Sequence, residues 1–83
     1  MKQNIYAVLD TVAVEFQPPF YLKNDAVAVK EFGEACENTE TNWNKHPEDY
    51  SLYNLGEFDT ESGMINSKDK RQIANASQFI KEE

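Results

Sequence analysis

Residues 15–32 read Glu15-Phe16-Gln17-Pro18-Pro19-Phe20-Tyr21-Leu22-Lys23-Asn24-Asp25-Ala26-Val27-Ala28-Val29-Lys30-Glu31-Phe32, and the fold is decided by how this stretch is punctuated. Proline lacks a backbone N–H and fixes φ, so Pro18 and Pro19 exclude helix locally and push the residue before each toward extended geometry. Phe16 to Lys23 is therefore predicted as a stiff, extended crossover. Helix starts where the prolines end. Asn24 offers a side-chain acceptor to the unpaired amides of a first turn, and Asp25 places a carboxylate at its positive end. Beyond it Val29, Phe32 and Cys36 recur at three and four positions, with Ala26, Ala28 and Ala35 beside them and Lys30 and Glu34 on the polar side. That spacing predicts an amphipathic helix to about Glu37.

Working outward, Asn4 to Val14 is rich in β-branched and aromatic residues and apolar in both alternation sets, which predicts a central strand over residues 4–13. After the helix, Asn38 to Glu48 reads as a polar loop carrying Trp43, His46 and Pro47. Tyr50 to Asp59 is a second strand, and Glu61-Ser62-Gly63 turns the chain into a short third strand at Met64-Ile65. Gly56 within a strand pattern predicts a bulge or a close backbone approach. Gln72 to Ala74 offers a further short strand, and Ser77 is a candidate cap for a terminal turn with Phe79 and Ile80. The expectation is an α+β fold in one domain, residues 1–83. It has a small sheet of three to four strands with one main helix packed across one face, in the order strand, helix, strand, strand and a short C-terminal element. A right-handed crossover would follow if the first two long strands are parallel neighbours.

Composition narrows the function classes. With 83 residues the chain forms a small core, and self-association would complete it. Five Phe, four Tyr and Trp43 supply large buried area from few positions. The single cysteine excludes an intrachain disulfide and, on the helix stripe, reads as a buried thiol rather than a nucleophile. The sequence has no continuous apolar run long enough to span a bilayer, which predicts a soluble, unexported chain without membrane contact. A net charge of −7 repels a phosphate backbone, so nucleic-acid binding needs a local basic patch. Lys68, Lys70 and Arg71, with Lys81 beyond them, are the candidates. The acids Glu31, Glu34, Glu37, Glu40, Glu48 and Asp49 form either a solvated face or a docking surface for a basic partner.

The second sheet face is where function is sought, because one helix covers only one side. Ile5, Ala7 and Leu9 oppose Tyr6 and Val8 in the first strand, and Leu52 and Phe58 oppose Tyr53 and Leu55 in the second. One reading is self-association, a dimer in the first instance, through Tyr6, Val8, Tyr53 and Leu55. The other is an aromatic platform of Tyr6, Tyr53 and Tyr50 on which single-stranded DNA bases stack, with Lys68, Lys70 and Arg71 on the backbone.

Other chemistry is sparse. His46-Pro47-Glu48-Asp49 falls short of the three or four ligands a metal needs. Asp59 to Gly63 reads as a hairpin turn, lacking the spacing of a calcium loop. Asp10, unusual in an apolar strand, is a strand end, a partner for Lys23 or Lys30, or a carboxylate of raised pKa. There is no glycine-rich phosphate loop. No catalytic residue, metal site or cofactor is predicted.

Two motifs carry a resemblance: Pro18-Pro19-Phe20 with Lys23-Asn24-Asp25-Ala26, and Gly56-Glu57-Phe58-Asp59-Thr60-Glu61-Ser62-Gly63. Together they resemble the small nonstructural protein of gokushoviruses, single-stranded DNA phages of the microvirus family, over Ile5 to about Ile80. Gln17 stands where that family has glycine, and Ser62 where it has threonine. The resemblance implies a nonstructural accessory protein in the host bacterial cytoplasm, absent from the virion, with a part in viral single-stranded DNA synthesis or its coupling to packaging. It carries over no catalytic residue. The positions it marks, Pro18, Pro19, Phe20, Asn24, Asp25, Ala26, Gly56, Phe58, Asp59 and Gly63, are fold determinants. The expected partners are a second copy and a phage replication protein or host protein, with direct contact to single-stranded DNA disfavoured by charge.

Overall fold

The computed structural model describes residues 1–80 and has an α+β architecture, with one antiparallel five-stranded sheet and one main helix. Strand β1 runs Lys2–Asp10, β2 Glu15–Phe16 and β3 Phe20–Leu22. Helix α1 spans Asp25–Glu37, a one-turn helix α2 Asn42–Lys45, and strands β4 and β5 span Tyr50–Asp59 and Ile65–Asn75. β1 lies between β4 and an edge made of β2 and β3 end to end, and β5 is the other edge.

The proline segment is extended as expected, but it is not a crossover. The first strand stops at Asp10, whose side chain accepts from the amides of Val12 and Ala13 and turns the chain over Thr11–Val14. Asp10 is thus a strand end. The chain then pairs back along β1, Leu9 with Phe16 and Tyr6 with Phe20, and the Gln17 amide donates to the Val8 carbonyl between them. Pro18 and Pro19 have no N–H to give, which is tolerated because this strand is the sheet edge. β1 and β4 are antiparallel neighbours, so no right-handed parallel crossover exists.

The third strand is longer than its sequence suggests. β5 runs eleven residues from Ile65 and absorbs Gln72 to Ala74. The hairpin closes through Asp59, whose carbonyl accepts from the Gly63 amide and whose side chain accepts from the Glu61 amide, with Gly63 at φ 75°. Gly56 lies at the expected irregularity: β1 and β4 shift register between Ile5 and Tyr6, leaving Leu55 as the extra residue. At φ 153° a side chain on Gly56 would be strained, and its Cβ would collide with the Asn66 carbonyl oxygen.

The Asn24 side chain caps α1 by accepting from the Val27 amide at 2.9 Å. Ala28, Phe32 and Cys36 bury on one stripe with Tyr6, Val8, Tyr50, Leu52, Ala74 and Ala76. Burial pushes the Cys36 thiol up to about 11, with the Glu37 charge adding to the shift. The polar segment after α1 is ordered by work at the helix end. Asn44 donates to the Cys36 carbonyl, and α2 sets Trp43 against Phe32, ring centroids 5.1 Å apart. The terminal turn Ala76–Phe79 is capped by Asn75 rather than Ser77, and Phe79 packs edge-on to Phe32.

Candidate functional site

Alternation along the strands gives the sheet two unlike faces. On the helix side, β1 presents Lys2, Asn4, Tyr6, Val8 and Asp10. Tyr6 and Val8 are fully buried there and Tyr50 is buried beside them, so none of the three can face a partner. The expectations that Tyr6 and Tyr50 stack bases, and that Tyr6 and Val8 form a self-association surface, are corrected: α1 covers these side chains.

Two of the three clustered cations, Arg71 and Lys68, are tied to carboxylates of the protein itself on this side. The Arg71 guanidinium donates to Asp25 at 2.8 Å from the strand directly beside Asn54. Asp25 also accepts from the Tyr6 hydroxyl at 2.7 Å and from the Asn54 amide at 2.9 Å. Burial alone would raise the pKa of Asp25, but the bonds from Tyr6, Arg71 and Asn54 outweigh it and hold the carboxyl below its usual range. Burial, with that carboxylate alongside, pushes the Tyr6 hydroxyl well up. The network pins the helix start to the sheet, close to the positive end of the α1 dipole. Lys68 is paired with Glu57 at 2.8 Å, and this hydrogen bond holds the Glu57 carboxyl below its usual range. Lys68 to Lys70 bulge out opposite Leu55, and among the described residues Lys70 has no ion-pair partner. Lys81 lies outside the described residues. A polar groove of about 420 Å³ between Asn24, Asp25, Asn54, Lys68 and Arg71 remains at this corner.

Among the described residues no helix covers the opposite face. Register places on it Gln3, Ile5, Ala7 and Leu9 from β1, Phe16 and Tyr21 from the edge, Ser51, Tyr53, Gly56 and Phe58 from β4, and Ile65, Ser67, Gln72 and Asn75 from β5. Not one of these carries a charge, in a chain of which 28% of residues do. Ile5 and Ala7 are buried at its centre. Two edge-to-face aromatic pairs flank them, Phe16 with Tyr53 at 5.5 Å and Tyr21 with Phe58 at 5.6 Å. Phe16 is 39% exposed, Tyr21 43% and Ile65 57%. Of the tyrosines expected to form a platform, only Tyr53 lies here. Leu55, the bulged residue, is half-buried.

Phe16 and Tyr21 were missed because their segment reads as a connection. The signal was present: in Phe20-Tyr21-Leu22, Tyr21 points away from two core residues, as alternation in a strand requires. Among the described residues no group of three or more His, Cys, Asp and Glu is placed to hold a metal. No helix among them is long and apolar enough to cross a membrane.

No curated protein and no solved structure matches the chain. A model of the family described as Phage ORF5 protein matches residues 3–79, nearly the whole sequence and both faces of the sheet. The chain therefore belongs to the Phage ORF5 protein family.

Proposed function

We propose that this protein is a non-enzymatic accessory protein of a gokushovirus-like single-stranded DNA phage. It works in the host cytoplasm in viral single-stranded DNA synthesis or its coupling to packaging, mainly through contacts with other proteins. The family match and the resemblance of Pro18 to Ala26 and Gly56 to Gly63 support the phage setting. The observation that carries the mode of action is that Arg71 and Lys68, two of the three clustered cations, are tied to Asp25 and Glu57. A phosphate backbone would have to displace those carboxylates against a net charge of −7. Direct binding of single-stranded DNA is the second reading, favoured by the exposed rings of Phe16 and Tyr21, on which bases could stack.

Labelled oligothymidylate, titrated with the purified protein at low and high salt, separates the two. The proposal expects no tight complex. Tight binding that weakens roughly 20-fold between about 50 and 200 mM salt, as three phosphate contacts on a single strand require, and that Lys68→Glu with Lys70→Glu abolishes in a folded variant, establishes direct DNA binding instead. In infection, a phage with a stop codon in this reading frame should make double-stranded replicative DNA but accumulate few single strands. A normal single-strand yield rejects the role.

A further inference from the structure

We infer that the charge-free face of the sheet is the contact between two copies of this chain, packed sheet to sheet as a two-fold dimer. This goes beyond the role proposed above and does not depend on it. Three observations name the occupant. Copies carrying −7 each repel at long range, and the strand-paired residues of this face add no like charge to oppose close approach. A nucleic acid or a strongly charged protein would instead require countercharges, and the register places none here. Finally, the face matches itself. An aromatic pair stands at each end of the Ile5–Ala7 centre, so a two-fold axis across the strands lays Phe16 and Tyr53 of one copy over Tyr21 and Phe58 of the other.

The size is adequate. Strands ~30 Å long, four abreast at ~4.8 Å spacing, present a flat area on the order of 600 Å². Side-chain relief brings this toward the ~800 Å² per partner of a standard interface. The resulting sandwich would hold its two sheets ~10 Å apart, the ordinary separation for interdigitated side chains.

The test is light scattering and sedimentation equilibrium of the full chain over about 1–100 µM, since self-association depends on concentration. The expected mass rises toward twice the 9.6 kDa of one chain. Tyr21→Lys and Ile65→Lys, at side chains exposed in the single copy, should each weaken association at least ~30-fold with an unchanged circular dichroism spectrum. Glu34→Lys, on the outer side of α1, should leave the mass unchanged. Concentration-dependent NMR shifts of the Tyr21 and Phe16 ring protons give a readout that needs no variant. A wild-type mass of 9.6 kDa throughout, with ring shifts that do not move, overturns the inference. So do folded Tyr21→Lys and Ile65→Lys variants that remain dimers. A monomer that binds oligothymidylate and loses it in Tyr21→Lys overturns it in favour of bases as the occupant.

Discussion

The two faces of this sheet are built from the same strands, often from adjacent residues, yet they solve opposite problems. Tyr6 faces the helix and is fully buried with its hydroxyl on Asp25, while its neighbours Ile5 and Ala7 face away into a layer of half-exposed aromatics. The helix side contains charge and satisfies it internally, through Asp25 with Arg71 and Glu57 with Lys68. The residues whose strand pairing places them on the open side carry no charge. The contrast separates stability from recognition. In the cluster that looks like a binding patch in the sequence, Arg71 holds α1 to the sheet and Lys68 joins β5 to β4, while the open face presents aromatic and apolar side chains.

The largest effect should come from the helix side. Leu52→Ala empties a fully buried position opposite Val8 and is expected to cost about 3 kcal/mol in chemical denaturation. Equal loss from an open-face truncation would mean that both faces contribute alike to stability. Gly56→Ala, where the two faces share a backbone kink, should cost about 2–3 kcal/mol through the strained φ and the collision with Asn66. A neutral result would mean that β5 is not held against this bulge.

Asp25→Ala should cost about 2 kcal/mol, mostly from leaving the buried Tyr6 hydroxyl without its acceptor. The half-exposed Arg71 pair adds only ~0.2–1 kcal/mol, because solvent screens it. The sign of the pH dependence follows from the lowered folded-state pKa of Asp25. Its contribution is fully present above the ordinary aspartate pKa of ~3.9 and is lost as pH falls through the folded value. Denaturation midpoints from neutral pH to acid should therefore fall less steeply in Asp25→Asn than in the wild type. Parallel curves would show that the carboxylate is not engaged in solution.

Asn24→Ala removes the acceptor for the Val27 amide and should cost about 1 kcal/mol, with Asn24→Gly milder. The smallest effect belongs to the open face. Tyr21→Ala, measured at the lowest workable concentration, should cost about 0.5 kcal/mol, the value of one exposed edge-to-face contact with Phe58. A much larger loss at that dilution would mean the ring is structural rather than presented.

Several elements were legible because their causes are local. The Asn24 cap, the Phe32 and Cys36 stripe of α1 and the turn ending at Gly63 each depend on residues within a few positions of one another. The stripe continues through Ala28, with the expected Val29 only partly buried, and Gly56 marked the irregularity by its own residue type. The full length of β5 is not visible in the sequence because Asn66 to Gln72 is polar and charged, with bulges that break alternation. A closed hairpin with a ten-residue first arm was the available sign that its second arm is equally long. The division of Tyr6 from Tyr53 was harder, since both are strand tyrosines and period-two reasoning ranks neither face as the covered one.

The sequence by itself determined an α+β chain with a capped central helix, a proline-stiffened extended segment, a glycine hairpin and the family resemblance that these motifs carry. Only the tertiary structure decided which face α1 covers, that the proline segment is an edge strand, and that Arg71 belongs to Asp25 across 46 positions of chain. The physical reason is range. Caps, turns and helix periodicity are fixed by neighbours along the backbone, whereas burial and ion pairing depend on which distant strands meet and in what register.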